Sequence, residues 1–168
     1  MAVKEKITIE NARITFKNFS GKETEFNSAG SRNFAVILSD DDAKELAERG
    51  WNVRVREPKE GYEDQGNFNT LRVNLRYSDN AAINPKVFRI SNGKMIQLSE
   101  RSVGTLDYAD IENVDLIIRP YNWTKANRSG TSAYVEEMYV TVKDNPLAEK
   151  YQRYEDGFTD PEELPFDE

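Results

Sequence analysis

The 168-residue chain contains no cysteine and no histidine. Their absence excludes disulfide frameworks, thiolate nucleophiles, Cys/His zinc sites and an imidazole general base. An enzyme built on this sequence would have to run on carboxylates with Mg²⁺, or on Ser, Lys or Tyr. No apolar run approaches bilayer-spanning length, and no charged-then-apolar leader opens the chain, so it is expected to stay where it is made, without a membrane. Basic side chains are missing from one stretch: from Glu155 onward there are seven acidic residues and no Lys or Arg. The whole chain carries 30 acidic and 23 basic residues, net −7. Removing the seven leaves 23 against 23, so residues 1–154 are neutral and all the net charge sits in the last segment.

That segment, with Phe158, Asp160, Glu162, Glu163, Leu164, Pro165, Phe166, Asp167 and Glu168, has too little apolar surface to offset its ordering entropy and is expected to be a disordered acidic tail. It reads either as a solubility tail or as a detachable peptide that binds partner proteins and competes with a polyanion for a basic groove on the body. Residues 144–154, beginning near Asn145-Pro146, read as a linker or short helix, and 1–143 as one domain.

Within that domain the periodicity is mostly that of strands. Ile7 and Ile9 fall on odd positions, whereas Ala12, Ile14 and Phe16 fall on even ones. This one-residue phase change marks a bulge or bend in a strand that serves two sheets. Phe34, Val36 and Leu38 mark a second strand. One helix is expected over 40–49, capped by Ser39, with Ala43, Leu46 and Ala47 on one face and Gly50 at its end. The run Asp40-Asp41-Asp42 fits a helix first turn, where the dipole favours acids, and nothing else offers a matching carboxylate cluster. A Mg²⁺-dependent nuclease using these residues or Asp64 is the enzymatic alternative; the reading adopted is a protein without catalytic residues, metal or cofactor.

Trp51, Val53 and Val55 alternate with Arg54 and Arg56, and Leu71, Val73, Leu75 and Tyr77 alternate with Arg72, Asn74 and Arg76. If the two strands are neighbours, their arginines form a guanidinium stripe; a solvated face is the alternative. Asn92-Gly93 between Lys86–Ile90 and Met95–Leu98 is a hairpin signal, and Lys86, Phe88 and Arg89 are candidate polyanion contacts. Residues 99–112 read as short helix and turn. In Asn113–Trp123, Val114, Leu116 and Ile118 point inward, with Arg119, Tyr121 and Trp123 in the opposite phase. A flexible basic loop with Lys125 and Arg128 is expected before the return strand Ser132–Val142. Rings that stack bases beside cations that meet phosphates are what an unpaired polynucleotide needs. The alternative is that Tyr121 and Trp123 cap the barrel and Arg119 pairs with a Glu.

About seven short strands, one helix and a closing hairpin read as a mainly β, elaborated OB-fold: a five-stranded Greek-key barrel with an extra hairpin and one short helix. The segments Val114–Trp123 and Tyr134–Val142, together with the acidic tail bearing Leu164-Pro165-Phe166, resemble the OB-fold single-stranded-DNA-binding proteins encoded by bacteriophages. The tail looks like the acidic Pro-Phe tip by which bacterial single-strand-binding proteins recruit enzymes. Here Asp167 and Glu168 follow Phe166, which points to looser, mainly electrostatic recognition. The resemblance implies coating of single strands in replication, recombination or repair, in the cytoplasm of a bacterial host, with replication or recombination proteins as tail partners. A strand-annealing protein, a structural or adaptor barrel, and a homodimer remain open at this point.

Overall fold

The computed structural model describes residues 5–25, 27–58, 61 and 66–143. The expected linker at 144–154 and the tail at 155–168 lie outside them. The described residues form nine strands in one hydrogen-bonded sheet and one α-helix: β1 (Ile7–Ile9), β2 (Arg13–Asn18), β3 (Arg32–Leu38), α1 (Asp40–Glu48), β4 (Val53–Arg56), β5 (Phe68–Leu75), β6 (Lys86–Ser91), β7 (Lys94–Leu98), β8 (Ile111–Lys125) and β9 (Arg128–Val142).

The phase change near the N-terminus is real. Asn11 takes a left-handed conformation (φ 55°), splitting the first strand so that β1 pairs with β8 and β2 with β3. The path β1-β8-β9-β5-β3-β2 therefore has one chain segment at both of its ends. All its contacts are antiparallel except β5 against β9. This is the Greek-key order of the OB-fold, elaborated by β4 on β5 and by the hairpin β6–β7, whose β6 runs parallel to β9. The hairpin turns at Asn92-Gly93 with both residues at positive φ, as their sequence requires.

The core is formed by the inward phases: Phe34, Val36, Leu71, Val73, Val114, Leu116, Ile118, Val135, Met138 and Val140, with Phe19, Trp51, Val103 and Leu106 closing its ends. Ser39 caps α1 by accepting from the Asp42 N–H at 3.1 Å; Ala43 and Leu46 are buried, but Ala47 is exposed, because so short a helix packs along one narrow line. The alternation at 51–57 also fails in part. Val55 is 64% exposed, since β4 is a four-residue edge strand that runs past the core. Phe16 shares the phase of Ile14 in the sequence, but a second irregularity between Thr15 and Asn18 turns it out. The β2–β3 loop closes where the Gly30 N–H donates to the Gly21 carbonyl at 2.8 Å. A Cβ on Gly21 would sit 3.1 Å from the Gly30 backbone, at a φ of +70°.

Candidate nucleic-acid interface

Strand register decides which polar side chains share a side, because directly opposed residues point the same way. Arg54 opposes Thr70 and Arg56 opposes Phe68 across β4–β5. Arg72 opposes Ala35 and Asn74 opposes Asn33 across β5–β3. All therefore lie outward, on the reverse of the core residues Leu71, Val73 and Leu75. Among the described residues, Arg54, Arg72 and Arg76 make no ion pair.

Phe16 rises beside them. Its φ of 52° is a conformation that costs an L-residue roughly 1–2 kcal/mol, and strain of that kind persists only where the surroundings over-determine it. The ring is 50% exposed, lies 6.3 Å from the Phe68 ring, and carries the Arg56 guanidinium 5.6 Å above its centre. Phe16, Arg56, Arg72, Lys17, Lys22 and Tyr108 line a groove of about 650 Å³ floored by Phe34 and Ala35. Lys22 donates to the Tyr108 hydroxyl and lies 4.9 Å from the centre of that ring. That hydrogen bond, helped by the Asp107 carboxylate, raises the Lys22 pKa and keeps the ammonium charged.

The β5–β9 contact continues the same side onto the final hairpin, Asn74 opposing Tyr134, which in turn opposes Arg119. The Arg119 guanidinium lies 5.2 Å above the Tyr134 ring, and Tyr121, 48% exposed, meets Tyr134 edge-on at 5.8 Å. Arg119 has no carboxylate partner among the described residues, although Glu136 and Glu137 line a pocket of about 520 Å³ with it and Lys86; Glu136 instead pairs with Lys6 at 2.6 Å. Arg76 and Tyr134 line a further recess with Arg32 and Tyr77. Burial pushes the Tyr77 hydroxyl up to about 12, so it stays neutral.

Trp123 is neither in the core nor as free as Tyr121. It opposes Gly130 and its indole covers that residue so closely that a Cβ there would come within 2.7 Å. The expected flexible loop is instead a two-residue turn, Ala126-Asn127, with Ala126 at φ 56°, and strand pairing runs to Lys125 opposite Arg128. No glycine marks that turn, which is why the sequence pattern did not show it.

Arg54, Arg56, Arg72, Arg76, Arg119, Tyr121, Trp123, Lys125 and Arg128 thus share one side of one sheet. Phe88, opposite Tyr139, lies like Lys86 on this side by register, but farther along β9 from the groove. It stacks on Tyr139 at 5.0 Å, beyond Glu136 and Glu137 along β9. Arg89 alternates to the side of buried Val87, its Nε buried and unpartnered. The candidate tail residues lie outside the described residues. Sequence reasoning missed Phe16, Lys17, Lys22, Phe68, Tyr108 and Tyr134. Tyr108 and Lys22 lie in turns that have no periodicity; only the fold points to them, because OB-folds bind oligonucleotides on the second and third strands and the loop between the first two.

Residues 1–160 match the profile of the phage ssDNA-binding domain family. No curated protein matches the sequence. Among solved structures, the chain is similar to the single-stranded DNA-binding protein from bacteriophage Enc34 in complex with ssDNA, at 12% identity and a TM-score of 0.54 over 84% of this chain and 88% of that one. A C-terminally truncated form of the Enc34 protein gives a TM-score of 0.51 at the same identity, covering 84% and 87%. At that identity the likeness is one of fold.

Proposed function

The chain belongs to the phage ssDNA-binding domain family, and from that premise we propose that it binds single-stranded DNA along the outer side of β2, β3 and β5 and onward to the β8–β9 arm. It is a binding protein, not an enzyme. The observation that carries the reading is the groove at Phe16, Arg56 and Arg72, where exposed ring faces and cations lie together on the strands an OB-fold uses for oligonucleotides. Bases stack on Phe16, Tyr121, Trp123 and Tyr134; phosphates pair with Arg54, Arg56, Arg72, Arg76, Arg119 and Lys22, and with Lys125 and Arg128 at the arm tip. Each stacked base contributes roughly 1–3 kcal/mol, more than one exposed ion pair supplies. Sequence preference is weak because every base has a π-face.

The acidic segment 155–168 acts as a tethered competitor for the cations. When DNA displaces it, Phe158, Leu164 and Phe166 become available to replication or recombination enzymes, and the protein works in the cytoplasm of the phage's bacterial host. Intrinsic fluorescence tests the core of this reading. Trp51 is buried and Trp123 lies on the arm, so oligo(dT) should quench Trp123 while an equal length of duplex does not. With about four of those eight cations neutralising a phosphate at any one time, affinity should fall roughly fifty-fold between 50 and 200 mM salt. Equal binding of duplex, or no salt dependence, would refute it.

A further inference from the structure

Five hydrogen bonds fasten the end of β2 and the start of the β2–β3 loop to the 3₁₀ turn Val103–Asp107 and the Tyr108 that follows it. The Lys17 ammonium donates to the Leu106 carbonyl at 3.4 Å. Asp107 accepts the Phe19 N–H on Oδ1 at 2.7 Å and the Ser20 N–H on Oδ2 at 3.0 Å, and the Ser20 hydroxyl donates to the same Oδ2. Lys22 donates to the Tyr108 hydroxyl. The two segments are thus joined in step, residue by residue, and Gly104 packs so tightly beneath them that a Cβ there would lie 3.0 Å from the Ser20 Cβ and 3.1 Å from its Cα.

Asp107 is an unexpected residue in the lining of this groove, since a carboxylate repels a polyanion. Its oxygens, however, are turned onto two successive backbone N–H groups and a hydroxyl, which offset much of its charge and fix its direction. The benefit lies one step away. With Phe19 and Ser20 held, Lys22 and Tyr108 stand together as one wall of the groove.

We infer that Asp107 is a positioning residue for the single-strand groove, setting the β2–β3 loop so that Lys22 and Tyr108 face the DNA; this rests on the DNA-binding reading above. Asn at 107 keeps the size but offers one acceptor oxygen where three donors now converge. The test is fluorescence anisotropy with labelled oligo(dT) on Asp107→Asn, Lys22→Ala, their combination, and Asp107→Asn combined with Tyr121→Ala. Asp107→Asn should weaken binding about five-fold, the size of one coupled interaction lost between neighbours. The Asp107/Lys22 pair should bind no worse than its weaker-binding single variant, whereas the losses from Asp107→Asn and Tyr121→Ala should multiply. The salt slope should fall by about 0.7 in Asp107→Asn, as in Lys22→Ala, a change that mere loosening of the fold does not produce. Wild-type affinity in Asp107→Asn, or losses at 107 and 22 that multiply, would overturn the inference. If Asp107→Asn does not fold, Ser20→Ala removes one of the three donors and carries the same test with an expected loss of about two-fold. If Lys22→Ala, Arg56→Ala and Phe16→Ala all bind normally, the groove itself is wrong; if they weaken binding and Asp107→Asn does not, only the role of Asp107 falls.

Discussion

The groove on β2–β3–β5 and the arm of β8–β9 carry the same chemistry on different supports. Each has a guanidinium over a ring, Arg56 on Phe16 and Arg119 on Tyr134. The groove lies directly on the core: Ala35 and Phe34 form its floor, and Leu71 and Val73 are buried behind it. The arm beyond Pro120 pairs only with itself, because the contacts of β9 with β5 stop at Ala133 and those of β8 with β1 at Ile118. A two-stranded ribbon is marginally stable alone, so the arm, although paired to its tip, has less packing to hold it than the groove, which rests on the core. The same residue types should therefore contribute more affinity in the groove, where little ordering cost is left.

The most severe break of that comparison is Arg56→Ala with Arg72→Ala. Losing two phosphate contacts and one ring cover should weaken oligo(dT) binding by roughly fifty-fold at 50 mM salt and lower the salt slope by about 1.4; a loss no larger than an arm variant gives would show that the groove is not the principal site. Phe16→Gly should cost about ten-fold in affinity while the melting temperature holds or rises, because glycine relieves the left-handed strain at that position. Calorimetry alongside binding separates the two effects. Tyr121→Ala and Trp123→Ala should each cost about three- to five-fold, more on long oligonucleotides than on short ones that the groove fills alone. Deleting 155–168 should tighten binding by a factor of about three at low salt, and by less at 200 mM, through relief of local competition; unchanged or weaker affinity removes the competitor idea. The smallest effect is expected from Gly130→Ala, which pushes Trp123 off its neighbour: about two-fold in affinity, with faster hydrogen exchange confined to the arm.

Much of this was legible in the sequence. The inward phases of β5 and β8, the cap at Ser39, the Asn92-Gly93 turn and the break between Ile9 and Ala12 all follow from local rules, and all recur in the fold. The outward phase of Arg72, Arg76, Arg119, Tyr121 and Trp123 followed from the same alternation. Local rules failed where register slips or an edge strand intervened: at Phe16, at Val55, and at the tight turn Ala126-Asn127.

By itself, then, the sequence determined which residues alternate, where elements start and stop, and that the net charge lies at one end, because each of these depends only on neighbours in the chain. The tertiary structure alone decided that Arg56, from a short edge strand, would lie over Phe16, from a bulge some forty positions earlier, and that Lys22 and Tyr108 would stand as one wall. It also sent Phe88 past Glu136 and Glu137 and turned Arg89 away. Strand order and register bring such residues together or separate them, and those are set by burying one shared core rather than by the local preference of any strand.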